Sequence, residues 1–591
     1  MRDFQENNYC GIKLLYPSVN SPELEEDFSK AQECINRFRA KYYGKISSLD
    51  AGELETAFAD LESVHETIIK PQAYAYLSFA ADSTDVNNKK ISQRGMELSN
   101  SAAQELLFFE IELIDVPDDV YQSLIQKEQI RKYKHYLQGL RRFKAHTLPE
   151  REERLLKQKS LTGTEAFTRL FDELTASFSY RMVIDGSEKE LTGDELLSLL
   201  HHDDASVREQ ALTVFLNQFQ NESIIYSTIF NAIALDHHQE QVLRNYSFPM
   251  EPTHLANELS NECVKCLMET TERNYPLARE YFLLKARILA LPKLKNTDIY
   301  APVRKINKQI SFSQAHEMVV ESYARFSPDF RDIIECFFTE KRIDADPRPG
   351  KSGGAFCMGI SPSLPPYVLM NFTGKMRDVA TLAHELGHGL HFVLAQKNSM
   401  LNYHPPLPLA ETASVFGEML LTRYLLEKED DPAVRISLLC AQIEDIIATT
   451  FRQNVLTRFE ERLHNNRKQG LLSSPDICDF WWDENAKLYG NTVQMIEPYR
   501  WGWSYISHFV HSRFYCYSYT FAELLVLALF QKYLSEGSAF VPVFTGILES
   551  GGSLSPADTV RSAGINLADS NFWQDGYDLL GKMIEELQNL L

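Results

Sequence analysis

The chain has 591 residues, which at roughly 150 residues per packing unit predicts about four units, fewer where helices merge them. Hydrophobic residues make up 44% and charged residues 24%, ordinary values that exclude disordered and collagen-like classes. Sixty Lys and Arg against 81 Asp and Glu leave a formal charge of −21, so no broad basic face is available for nucleic acid, and substrates with cationic ends are favoured.

The start, MRDFQENNYCGIKLLYP, carries an early Arg but no apolar h-region and no small-residue cleavage site, so no secretory leader is expected. Next, Ser21-Pro22-Glu23 supplies an N-cap, a proline at the first helical position and an early acid. Phe28, Ala31, Ile35 and Phe38 follow at spacings of 3, 4 and 3, the pattern of one buried helical face. FSYRMVIDGSEKEL places Asp185-Gly186 between extended stretches, a hairpin signature, and Thr192-Gly193-Asp194-Glu195 then reads as a capping box. A soft domain boundary is expected near residue 190, dividing an N-terminal helical domain (1–190) from a catalytic domain (191–591), the two intertwined.

Cys263 and Cys266 form a lone CxxC in a helical stretch with no second pair, which favours helix packing over metal or redox use. Nine Cys scattered from Cys10 to Cys516 do not form a disulfide framework, and a reduced cytoplasm is expected. Ala355–Phe372 has apolar, β-branched and aromatic ends around a turn containing Pro362, Pro365 and Pro366, a second hairpin. Its strand ending at Tyr367, Val368 and Leu369 is expected to pair with an extended peptide as an added strand. Further on, Ser474-Pro475-Asp476 repeats the helix-start signal and Gly490 supplies a stop. The longest apolar run, Leu524 to Phe530, is far short of the roughly 20 residues that span a bilayer, so no membrane segment is expected.

The most informative stretch is a helix from about Asp378 that contains His384-Glu385-Leu386-Gly387-His388. At this spacing the two histidines lie about 40° apart on one face and about 6 Å apart along the axis. Both imidazoles can then converge on one Zn²⁺, while Glu385 on the adjacent face can act as a general base. His391 shares the histidine face, but it is about 10.5 Å from His384 along the axis, so packing behind the site is expected rather than ligation. Leu394 stands where a metzincin pattern requires His, which excludes that class. A third ligand is expected from Ala410-Glu411-Thr412-Ala413-Ser414-Val415-Phe416-Gly417-Glu418, where Glu411 and Glu418 are seven apart on one helical side. Glu411 can ligate while Glu418 orients a histidine; the alternative is two acids on a solvated face. Pro405, Pro406 and Pro408 let the chain reverse between the two helices.

Near the C-terminus, Tyr515 and Tyr519 share a helical face while Tyr517 points away. The cluster can be core, or its phenols and His508 can donate to a developing oxyanion.

The chain resembles the oligoendopeptidase F branch of the thimet-oligopeptidase-like zinc peptidases. The resemblance runs through LLYPS (14–18), IYAP (299–302), PRPGKSGGAF (347–356), PYVLMNFTG (366–374), RDVATLAHELGHGLH (377–391), AETASVFGE (410–418) and HFVHSRFYCYSYTFAELL (508–525). It implies zinc ligands His384, His388 and Glu411, with Glu385 as base and one Zn²⁺ per chain. It also implies a mostly α, clam-like, two-lobed molecule with a deep central channel and a small β-hairpin or sheet beside the HExxH helix. Short unfolded peptides are the implied partners of a monomer or weak homo-oligomer, with Gly353 and Gly354 joining Tyr367–Leu369 in substrate binding. His508, Tyr515, Tyr517 and Tyr519 map onto the segment that closes over substrate, although Arg513 replaces an expected Pro and Ala522 an expected Gly. The function so implied is zinc-dependent hydrolysis of internal bonds of oligopeptides. The alternatives are a metallocarboxypeptidase and a catalytically silent peptide-binding protein.

Overall fold

The apolar spacing in the first helix is borne out: Phe28, Ala31, Ile35 and Phe38 are all buried on one face of α1 (Pro22–Tyr42). The computed structural model describes residues 11–184, 186–303 and 309–591; Cys10 and Asp185 lie outside them, as does the start of the chain up to residue 10. Helices dominate. Those that matter below are α1, α2 (Ala51–Ala81), α3 (Val86–Asp115), α4 (Phe312–Phe326), α5 (Met376–Ala395), α6 (Thr412–Lys428), α7 (Pro432–Thr449), α8 (Phe451–Arg467), α9 (Ser474–Tyr489) and α10 (Tyr517–Glu536). The strands are short: β1 (Tyr180–Ile184), β2 (Ser187–Leu191), β3 (Leu294–Lys295), β4 (Ile343–Asp344), β5 (Phe356–Met358), β6 (Tyr367–Leu369) and β7 (Val493–Gln494).

Local signals set several of these ends. β1 and β2 pair antiparallel with Ile184 opposite Ser187, and Gly186 takes the positive φ of 77° that such a turn requires. Thr192 accepts from the Glu195 N–H and Glu195 accepts from the Thr192 N–H, the expected capping box. Two starts differ in detail. Ser21 caps α1 without a side-chain hydrogen bond, and α9 is capped one residue earlier than expected, by Ser473 with Asp476. Gly490 ends α9 at φ 51°. Cys263 and Cys266 sit on a helix, Asn261–Arg273, and all eight described cysteines are free.

By compactness the described residues fall into two units, each assembled from three stretches of chain. One takes the described residues of the spans 1–144, 307–428 and 532–565, the other those of 145–306, 429–531 and 566–591. The boundary expected near residue 190 falls within the second unit. In the first unit α1, α2 and α3 pack on one another, and their core continues into Ile360 and into Tyr367 of the small sheet. That sheet runs β4-β6-β5, with β4 parallel and β5 antiparallel to β6. It packs against α5, the helix with the paired histidines. In the second unit β3 pairs parallel with β7 and packs against the helix Tyr275–Ile288. The stretch Tyr517–Glu549 is long and apolar enough to cross a membrane by length and composition, more than Leu524–Phe530 indicated. Thr520 through Phe530 are nevertheless all buried in the protein, as in a core helix.

Candidate active site

The first unit builds the site from two helices laid side by side. α5 packs along α6, and glycines permit the approach. A Cβ on Gly387 would stand 2.4 Å from the Ala413 carbonyl oxygen of α6. A Cβ on Gly417 would meet the Tyr323 hydroxyl, which donates to the Ala383 carbonyl at 2.8 Å and so buttresses α5 from α4. Small residues at these positions let the side chains between the helices converge.

His384 Nε2 and His388 Nε2 are 3.2 Å apart, and each is 3.3 Å from Glu411 Oε2. Around an ion with bonds of roughly 2.0–2.1 Å, corners of a tetrahedron stand about 3.3 Å apart, so three corners are matched and a fourth is left over. The residues present therefore fit a zinc-type ion, and they are the metal-capable cluster among the described residues. Glu411 lies between the short helix Leu407–Ala410 and α6, with Oε2 also accepting from Ser414 Oγ at 2.7 Å. Glu418, two turns on, bonds His384 Nδ1 at 2.5 Å. That bond puts a proton on Nδ1, so in the neutral ring that a metal ion requires Nε2 is the lone-pair atom.

The electrostatics follow from crowding charges in a half-buried place. Burial opposes charge on His384, but the Glu418 hydrogen bond and the charges of Glu418, Glu411 and Glu385 outweigh it and push its pKa up to about 9. Burial raises Glu411, yet His388, His384 and Ser414 bring it down to about 2. Glu385 is raised by burial, with the two histidines opposing. His391 is fully enclosed, and burial with the neighbouring His388 holds it near 3, so it is neutral and packs behind the site.

The added-strand expectation needs correction. Tyr367, Val368 and Leu369 are 0–2% exposed, and β6 is bonded on both sides, to β4 and to β5, so none of the three offers a free edge. The side of β5 away from β6 has no strand partner among the described residues. Gly353 and Gly354 are exposed just before it, held through the Asn371 amide, which donates to the Ser352 and Gly354 carbonyls. On the other flank Asp344 is clamped by Arg348 and by buried Lys351, the structural role of those two residues in PRPGKSGG.

In the second unit His508 Nε2 and Tyr519 Oη are 3.1 Å apart, and Tyr515 stacks on the His508 ring at 5.7 Å. Burial and the nearby Arg452 and His511 charges lower His508, which keeps it neutral. Tyr517 departs from the expectation: it is fully buried, and its hydroxyl is held by Asn257 Nδ2 at 2.8 Å and His254 Nδ1 at 3.1 Å. It is a core residue. The turn before this helix holds Phe514 at φ 56°, with its N–H donating to the buried Glu460 carboxyl at 2.9 Å. Sequence reasoning missed Tyr323, Ser414 and Glu460. Only Ser414, three residues after Glu411, carried a local signal.

The model of peptidase family M3 matches residues 198–579, well over half of the chain, and a model described as Oligopeptidase F matches residues 112–180. The chain belongs to peptidase family M3. As an M3 peptidase it is a metallopeptidase, and the expected enzyme class, metalloendopeptidase, stands on this membership. It is similar to Oligopeptidase PepF of Bacillus subtilis, at 24% identity over 98% of this chain and 87% of the relative. Group B oligopeptidase PepB of Streptococcus agalactiae is 25% identical over 88% of this chain and 87% of the relative. The M3 fold is shared with a Chlamydophila abortus crystal structure at TM-score 0.90, with 22% identity and 98% of both chains covered. It is shared also with oligoendopeptidase-F from Enterococcus faecium at TM-score 0.71, with 22% identity over 96% of this chain and 98% of the other.

Proposed function

We propose that this M3 peptidase is a zinc-dependent endopeptidase that hydrolyses internal bonds of short, unfolded oligopeptides. The observation that carries the reading is the triangle of His384, His388 and Glu411 ligand atoms, 3.2–3.3 Å on a side, with Glu385 one residue after the first ligand. Zn²⁺ held there would supply Lewis acidity, lowering the pKa of a water and polarising the scissile carbonyl. Glu385 takes the proton of the attacking water on its carboxylate and passes it to the leaving amine. Glu418 keeps His384 in one tautomer and orientation through Nδ1. His508 and Tyr519, a neutral pair 3.1 Å apart, are the proposed donors to the transition-state oxyanion, with Tyr515 stacked against them. An extended peptide pairs by main-chain hydrogen bonds with the outer edge of β5, beside Gly353 and Gly354, so many sequences are accepted. The eight free cysteines suit a reducing compartment such as the cytoplasm.

The test is mass spectrometry of products from a mixed-length peptide library, run beside Glu385→Gln. Internal cuts by the wild type are expected, with zinc retained and activity lowered roughly 10²–10⁴-fold in the variant. Normal cleavage by Glu385→Gln refutes the base assignment, and release of single C-terminal residues alone would make the protein a carboxypeptidase.

A further inference from the structure

The second unit contains a cavity of about 330 Å³ that the peptidase chemistry above does not use. Its walls are largely apolar and aromatic, including Phe282 and Leu488, and Tyr300, Tyr505 and Arg452 also line it. Arg452, in the first turn of α8, is partly buried, and among the described residues its guanidinium makes no ion pair. Its hydrogen bond goes to Tyr505 Oη at 3.2 Å. A guanidinium has five N–H donors and stays charged at any ordinary pH. Most of that donor capacity is thus unused by the protein, on a side chain that lines a partly enclosed space. Tyr505, accepting from Arg452, has its own proton to give, and Tyr300 presents a second phenol to the same space.

The acid that lines the cavity does not offset this charge. Glu444 is bound to the fully buried Lys285 and to Tyr281, so its charge is compensated where it stands. A cation and two phenol donors in an apolar chamber favour a small anion attached to an apolar body. Planar bidentate geometry makes carboxylate the matching anion. The volume is of the order of one to two amino-acid residues, at the low end of the usual range for small-molecule sites.

We propose that this cavity is a carboxylate pocket that takes the C-terminal end of a peptide, with its α-carboxylate on Arg452, Tyr505 and Tyr300 and its last side chain against Phe282 and Leu488. Tyr505 is three residues before His508, and the Arg452 charge reaches that imidazole. A peptide has one α-carboxylate, at its C-terminus. Capture of that group holds the peptide by this one end, so a free C-terminus favours hydrolysis wherever the chain is cut. This last step rests on the proposed hydrolysis; carboxylate binding itself does not.

The test is calorimetric titration of the full-length, chelator-treated protein with N-acetyl-leucine and with N-acetyl-leucine amide. The acid is expected to bind at least tenfold more tightly than the amide. Arg452→Met should erase that difference, and Tyr505→Phe should reduce it. Arg452→Lys, which keeps the charge but loses the fork, provides a second variant if Arg452→Met does not fold, and it should weaken the acid severalfold. A further arm compares Ala-Ala-Leu with free leucine, and the tripeptide should bind more tightly. Hydrolysis of one hexapeptide with a free or an amidated C-terminus should favour the free form at least tenfold in kcat/KM. Equal binding of acid and amide, no binding of either, or unchanged selectivity in the variants overturns the carboxylate pocket. Tighter binding of leucine than of the tripeptide, or equal hydrolysis of the two hexapeptides, overturns the assignment to peptide ends. The titration needs neither metal nor turnover, so its failure is separable from failure of the proposed hydrolysis.

Discussion

Replacing Gly387 by Ala tests whether the spacing of α5 and α6 sets the metal site. The new Cβ would stand 2.4 Å from the Ala413 oxygen and 2.6 Å from Ser414 Cα, both backbone atoms that no rotamer change can move. Ordinary contact begins at 3.4 Å, so the helices must part by 3.4 − 2.4, or about 1 Å. Metal sites tolerate deviations of only about 0.2 Å in ligand distances, and His384 and His388 lie on one of these helices while Glu411 opens the other. Intrinsic helix propensity pulls the opposite way, since Ala is favoured over Gly by about 1 kcal/mol, whereas overpacking costs about 1–3 kcal/mol. Zinc competition against a chromophoric chelator should show affinity lowered at least about tenfold, with the metal-free protein melting at or below the wild-type temperature. Gly546→Ala is the control, because that Cβ meets nothing within 4 Å. Its melting temperature should hold or rise. Wild-type zinc affinity in Gly387→Ala would show that helix spacing does not govern the site.

The Glu411→Ala variant should lose zinc on dialysis where Glu418→Ala retains more of it, and equal metal content in wild type and Glu411→Ala would remove Glu411 from the ligand set. Tyr519→Phe should lower kcat more than it raises KM, because its proposed bond forms mainly in the transition state; a pure KM effect would demote it to substrate binding. Glu460 titrates apart from the metal site, with its pKa pushed up to about 8 by burial against the opposing Phe514 N–H and Arg513 charge. The unfolded carboxyl ionises near 4.5, so the stability that protonated Glu460 contributes is full below that pH and is lost as pH rises toward 8. Relative to the wild type, Glu460→Gln should therefore gain about 1 kcal/mol at pH 5 and about 4 kcal/mol at pH 8, read from unfolding midpoints. A difference that does not change with pH would show Glu460 to be ionised in the fold.

The parts of the site that could be read in advance are those fixed by helical period. His384 and His388 need only 3.6 residues per turn to converge, and the Glu411–Glu418 interval brings one carboxylate to His384 Nε2 and the other to its Nδ1. The two hairpins and the Thr192 cap rest on short-range chemistry and were equally legible. Long-range pairing was not. β4 is two residues long and carries no strand signal of its own, yet its pairing makes β6 a central strand and disqualifies Tyr367–Leu369 as a docking edge. Helical period turned Tyr517 away from Tyr515 and Tyr519 but did not reveal what it faces. Its burial comes from His254 and Asn257, some 260 residues away in sequence. Arg452 and Glu460 have the same character, because a charged residue in a helix reads as solvent-facing until the surrounding elements are known.

The three-stranded sheet has a consequence for what can be digested. With β6 enclosed and the β4 residues buried, the more exposed flank among the described residues runs along β5. Such a flank has room for one backbone in single file. A segment already folded into a hairpin or a helix has spent its amide groups on itself and has none left to offer. If a peptide docks along β5 as proposed, discrimination between loose fragments and intact domains follows from hydrogen-bond stoichiometry.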